Sequence, residues 1–298
     1  MSAAELISPS LLGAHVHFAP DFLFEAELPV GSVALKWTIV ACVAICLLTD
    51  LVSRLATQTY AKLPVIDKGN WCIGAVRGTM GIVLAAASVP VYYCETLSAN
   101  PAMGTTAYSD AVTGVLSGFF WFEMLTLVLM SALLGYKNTP LWFHHVLGLI
   151  FVESVRLCGA LHFFALTSCV QELSAPFTTV SWMLAKAGYR YTWGFIANHA
   201  ALVAVWVVFR IGNDFHRAYY VWSDFRALVT LVPWLPLVTF VLGSLQLMLF
   251  LNPHWLKMKS GQLARAIIAK MDGKEGAGGN GDAVAGGNGD AKSQVKQD

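Results

Sequence analysis

The feature that most constrains this chain is a series of apolar blocks, most of them long enough to cross a bilayer. They run over 33–52, 71–94, 111–135, 141–167, 192–211 and 228–251, with a shorter, more polar block at 171–187 that contains Pro176. A hydrocarbon core takes about 20 residues of helix, so the blocks read as transmembrane helices. Only 12% of the residues are charged and 56% are hydrophobic, whereas an ordinary soluble domain carries about 25% charged residues. The expected fold class is therefore all-α, a polytopic transmembrane helix bundle with six or seven membrane-spanning helices.

Loop charge orients the bundle. The segment before the first block is acidic, with Glu5, Asp21, Glu25 and Glu27, and has no basic stretch of the kind that opens a secretory signal. The first connection carries Arg54, Lys62 and Lys68 and reads as cytosolic, and the second has Glu95 and Asp110 but no Lys or Arg. The tail after the last block is basic again, through Lys257, Lys259, Arg265, Lys270 and Lys274. An outside start and an inside end need an odd number of crossings, which counts 171–187 as a span or a deep re-entrant helix. Arg217 and Arg226, with Arg210 at the edge of the same connection, oppose that count because they would then lie outside.

Three regions follow: 1–32, a short acidic N-terminal segment; 33–262, the transmembrane domain; and 263–298, a flexible Gly-rich cytosolic tail. In that tail AGGNGDA stands at 277–283 and again at 285–291, a composition that cannot bury enough surface to order itself. The net charge of +1 supplies no basic field, and no nucleic-acid partner is expected. The six cysteines form no C-x-x-C pair and read as buried thiols. No metal is expected.

Polar groups inside apolar blocks are costly and point to a bundle interior or a wet cavity. Glu123 lies mid-block at 111–135. The block at 141–167 carries His144, His145, Glu153, Arg156 and His162, and Glu172 and Ser174 precede Pro176. Asn198 and His199 occupy the block at 192–211. Glu153 and Arg156, at i,i+3, either neutralise one another between packed helices or line a polar cavity. If one helix held both His144 and His162, they would share a face about 27 Å apart, too far for one catalytic centre. The adjacent histidines are either an interfacial hydrogen-bonding pair or a general acid/base facing a lipid, since imidazole titrates near neutral pH. No Walker-type loop, H-E-x-x-H or G-x-S-x-G motif occurs.

Five segments occur in a familiar order. They are Gly118-Phe119-Phe120-Trp121-Phe122-Glu123-Met124; His144-His145; Glu172-Leu173-Ser174-Ala175-Pro176-Phe177 with Trp182; Asn198 with Phe209-Arg210-Ile211; and Asn252, Trp255, Lys257-Met258 and Gly261. In this the chain resembles the TLC (TRAM–Lag1–CLN8) domain family over about residues 35–262, closest to its TLC-domain-containing (transmembrane-56-like) branch. The resemblance implies a helical bundle enclosing a lipid-accessible cavity. Some members are sphingoid-base N-acyltransferases, and others are linked to phospholipid composition, membrane fluidity or cargo export from the endoplasmic reticulum. In the synthases the histidine pair opens a motif with a second histidine followed by two aspartates. Here His144 and His145 match the pair; with His162 as the second histidine, Phe163 and Leu166 stand where the aspartates would be, which counts against acyl transfer.

The expected function is intramembrane lipid handling in membrane lipid homeostasis (binding, sensing or moving lipids), with membrane lipids as partners and homo-oligomerisation left open. The alternatives are an acyltransferase of the ceramide-synthase type, and a cargo receptor or transporter. The acyltransferase would use His145, then His144, as acid/base, with no cofactor and acyl-CoA only as co-substrate. For a transporter the chain shows no internal repeat of interrupted helices. The expected cavity residues are Glu123, Glu153, Arg156, Glu172, Ser174 and Asn198. The resemblance places the protein in the endoplasmic reticulum, with plasma membrane and Golgi as alternatives.

Overall fold

The computed structural model describes residues 30–273. The N-terminal segment before residue 30 and the glycine repeats of the tail lie outside the described residues. Within them the chain is helical with no strand, as the apolar blocks predict. Helix α1 spans Val30–Ala56. Helix α2 spans Val65–Ser88 and tightens into a 3-10 turn, Val89–Tyr93, where Pro90 removes a backbone donor. Helix α3, Ala107–Leu134, starts in a capping box between Thr106 and Ser109 and stops at Gly135, which takes the left-handed conformation at φ 64°. Helix α4, Thr139–Cys158, is capped by Asn138 and ends at Gly159.

The sequence block at 141–167 is broken at that point. Gly159 and Leu161 both sit at positive φ, 59° and 62°, and turn the chain back. His162 therefore opens the next helix, and the estimate of its distance from His144 along one helix does not apply. Helix α5 runs as His162–Ser168, a 3-10 stretch Cys169–Leu173, and Ser174–Lys186. Helix α6 comprises Trp193–Val205, a π-helical turn Trp206–Ile211, and Gly212–Ser223. Helix α7 comprises Trp234–Leu245, a second π-helical turn Gln246–Leu251, and Asn252–Met271. Residues 263–271, expected in the flexible tail, continue α7, because Ala266 packs against Phe195 and Ile196 of α6.

Six of these helices are long and apolar enough to cross a membrane. Helix α5 is the polar seventh, and its pairing with α2 shows how far it reaches. At one end Lys186 Nζ meets Asp67 Oδ2 at 2.7 Å. In the middle Thr179 Oγ1 donates to the Gly74 carbonyl at 2.8 Å, and at the other end Tyr92 Oη donates to the Thr167 carbonyl at 3.2 Å. The two helices are thus antiparallel along the whole of α2, so α5 traverses the same thickness. The close approach depends on Gly81, where a Cβ would stand 2.5 Å from the Glu172 carbonyl oxygen.

The opposing arginines are accounted for by burial. Arg210 and Arg217 are inside the bundle, bonded to Ser174 and Ser244, and do not act as loop charges. Arg226 alone stays exposed on that connection. Seven crossings with an external start and a cytosolic end then fit the charge rule.

Neighbour packing closes a ring in the order α2–α3–α4–α7–α6–α5, with α1 outside against α3 and α2. The contact of α1 with α3 is tight: a Cβ on Gly118 would stand 2.5 Å from the Leu35 carbonyl oxygen. The ring encloses a space at the end that the charge rule assigns to the cytosol.

Candidate lipid-binding chamber and its histidine pair

All six ring helices line a cavity of about 520 Å³, within the size range of small-molecule sites. It lies at the end of the bundle that carries Asp67 at the start of α2, Tyr136 before α4, Lys186 at the end of α5 and Lys259 in α7, the side that the charge rule assigns to the cytosol. Trp182, Trp206 and Trp255 supply aromatic walls. A second, smaller cavity of about 80 Å³ adjoins it toward the opposite end of the bundle, between α4 and α7. The two share Phe120, His144, Glu172 and Arg210 in their walls.

The histidines lie in the second turn of α4, positioned by the Asn138 cap and by Pro140 in the first turn. The rings of His144 and His145 stand 5.2 Å apart. His144 faces the edge of Phe120 and the Trp255 ring at 6.4 and 6.2 Å. His145 is buried, its Nε2 3.6 Å from Glu123 Oε2 and its Nδ1 without a hydrogen-bond partner. Both histidines line the chamber.

Glu123 does not line it. The carboxylate is fully buried behind the wall, where Arg77 donates to Oε2 through Nε at 2.8 Å and Nη2 at 2.5 Å. It thereby holds in place two groups that do face the chamber, Arg77 and His145. Glu172 and Ser174 line the chamber. Arg210 ties them together, with Nη2 3.7 Å from Glu172 Oε1 and Nε donating to Ser174 Oγ at 2.8 Å, while its guanidinium stacks 4.4 Å from the Trp206 ring centroid.

Three expected cavity residues lie elsewhere. Glu153 points to the α3–α4 seam, where it accepts hydrogen bonds from Ser117, from Trp121 Nε1 at 2.8 Å and from Arg156 Nε at 3.3 Å. Arg156 is its partner there and also lies outside the chamber. Asn198 packs α6 on α5, donating to the Phe177 carbonyl at 2.9 Å and to Ser181 Oγ at 2.8 Å. A polar residue in a span needs a partner, and these three find theirs in helix seams.

Four cations line the chamber: Arg77, Lys186, Arg210 and Lys259. Asp67 and Glu172 are the only carboxylates in its wall. Among the described residues Lys259 has no carboxylate partner. Arg77, Lys186 and Arg210 are each paired, with Glu123, Asp67 and Glu172, so Lys259 is the surplus cation of a wall that is otherwise aromatic and polar. The sequence reading ends the apolar block at Ile211 and takes Arg210 and Arg217 as charges of the connection that follows. The signal that would have found the arginines is the spacing of Arg210, Asp214 and Arg217 at i, i+4 and i+7, one face of a helix running on past that point. Among the described residues no three His, Cys, Asp or Glu side chains converge into a metal-ligand set.

The family model for the TLC domain matches residues 70–258, which takes in every chamber residue except Ile66, Asp67 and Lys259. Curated relatives include Protein CLN8 of dog, 28% identical over 72% of this chain and 75% of that protein. Protein CLN8 of rat is 28% identical over the same shares, and human Protein CLN8 is 27% identical over 77% of this chain and 82% of that protein. These relatives bear the CLN8 name, not that of the transmembrane-56-like branch. No solved structure matches. The chain belongs to the TLC-domain family of membrane proteins.

Proposed function

We propose that this protein handles lipids within the membrane, taking the polar part of an amphiphile into the chamber from the cytosolic leaflet. The cationic and aromatic wall supports that reading, because it offers charge-assisted hydrogen bonds beside apolar surface. A role in membrane lipid homeostasis follows from it, and endoplasmic reticulum is the proposed compartment, through the family resemblance.

One observation favours a second, chemical reading: His144 lines both cavities. An imidazole where two compartments meet stands where a group leaving one ligand can be taken up by another. In acyl transfer the acceptor hydroxyl or amine would attack the carbonyl of an acyl thioester. His144 would take the acceptor's proton and return it to the departing thiolate, forming an ester or amide and a free thiol. His145, held at Glu123, would fix the position of its neighbour. The missing aspartates count against this reading, because Glu123, the carboxylate beside His145, lies behind the wall and already holds Arg77.

The test compares lipid profiles, by mass spectrometry, of cells lacking the protein, expressing it, or expressing the His144→Ala/His145→Ala form at matched level. A lipid class that rises with the wild type alone supports acyl transfer. Equal shifts from both forms support binding or transport without chemistry. No shift from either form overturns the lipid reading and leaves cargo binding in its place.

A further inference from the structure

We propose that the side pocket between α4 and α7 is an anion subsite, holding the phosphate or carboxylate of a lipid on the Nε–Nη2 edge of Arg217. The proposal rests on the lipid-handling reading and adds to it the charge class of the ligand and the residue that selects it.

Arg217 lies two turns beyond Arg210 on α6, lines the pocket, and is 6% exposed. Its Nη2 donates to Ser244 Oγ at 3.1 Å, while its Nε is buried without a partner. The guanidinium lies 5.3 Å from the Phe240 ring centroid. The acid one turn away acts on it only at longer range and makes no ion pair with it. Asp214 Oδ1 accepts from Gln171 Nε2 at 2.8 Å and Oδ2 from Asn252 Nδ2 at 2.8 Å. Among the described residues no carboxylate comes within ion-pair distance of Arg217. Arg210, by contrast, has Glu172, Ser174 and Asn252.

A buried guanidinium without an ion-pair partner is costly inside a bilayer, and an anionic ligand would supply that partner. The open Nε beside Nη2 is the edge with which arginine grips a carboxylate or phosphate through two parallel hydrogen bonds. Ser168 and Ser244 add hydroxyl groups to the same pocket wall. The rest of that wall is mainly apolar, including Leu116, Phe151 and Leu247, so the anion arrives on a lipid body. With its charged group at Arg217, the ligand's adjoining atoms reach His144 at the junction with the chamber.

The full chain in nanodiscs is titrated with lysophosphatidate, oleate, monooleoylglycerol and inorganic phosphate, with wild type, Arg217→Gln and Ser244→Ala compared. The wild type should bind at least one anionic lipid roughly ten-fold more tightly than monooleoylglycerol. Arg217→Gln should erase that preference and leave monooleoylglycerol binding unchanged, and Ser244→Ala should weaken the anionic lipid by roughly three-fold. Lysophosphatidate against oleate assigns phosphate or carboxylate. Phosphate binding as tightly as either lipid would overturn the lipid source and keep the anion site. An anionic preference that survives in Arg217→Gln overturns the subsite. Should that variant not fold, a wild type with no anionic preference overturns it equally. Monooleoylglycerol binding without any preference leaves the chamber standing and the subsite refuted; binding of no amphiphile refutes both.

Discussion

Glu123 and Glu153 each interrupt an apolar span, on the neighbouring helices α3 and α4, and each is held by an arginine. The arginines come from different places. Arg156 sits three residues after Glu153 on the same helix, so that pair forms from local geometry alone and can sit at a seam near the C-terminal end of α4. Arg77 reaches Glu123 from α2, so this pair exists only once the ring has closed. A carboxylate neutralised within its own helix is free to pack anywhere on the bundle. One neutralised across helices reports where the interior is, and here it backs the chamber wall.

The comparison can be broken most forcefully at Glu123. Glu123→Ala leaves Arg77 unpaired, and a loss of about 3 kcal/mol is expected, the low end for breaking a buried pair because Arg77 keeps one side on the chamber. Thermal unfolding in detergent would show it. Adding Arg77→Met should restore much of the loss, and a double variant no more stable than Glu123→Ala would mean that the pair is not what closes the ring. Next in size is Gly81→Val, which pushes a side chain into the Glu172 backbone. It should destabilise by about 1–3 kcal/mol, as overpacking does, and should weaken lipid binding as well, because Glu172 moves with the seam. Stability lost with binding intact would separate the seam from the chamber. The smallest effect belongs to Glu153→Gln. With both partners partly exposed and Arg156 able to extend toward the interface, a loss under about 1 kcal/mol is expected, with lipid profiles unchanged. A lipid defect in this variant would bring Glu153 back into the functional set.

The spans were legible in the sequence because membrane insertion selects long apolar runs, and that signal depends on no partner. The break at Gly159 was not legible, since apolar residues continue on both sides of it; only the positive φ of Gly159 and Leu161 divides the block. Of the site, His144, His145, Glu172 and Ser174 were found as polar groups in apolar surroundings. Glu153, Arg156 and Asn198 carry the same signature and proved to be seam residues, because a single chain of letters does not say which side of a helix faces a neighbour. Arg77, Lys186, Arg210 and Lys259 were hidden for the opposite reason: lying near block edges, they resemble loop charges.

The π-helical turns in α6 and α7 carry a consequence for how such a chain can vary. Each turn absorbs an extra residue relative to α-helical winding, so the stretch beyond it keeps its face. Deleting one codon inside Trp206–Ile211 would only restore α-helical winding. Deleting one between Asn198 and Trp206 would keep the reading frame and the span, yet would swing the stretch holding Asp214 and Arg217 by about 100° while Asn198 stayed docked on α5. The change would leave hydropathy almost untouched and carry the charged face of α6 away from both cavities. In these two helices the spacing between residues is as much a part of the site as their identity.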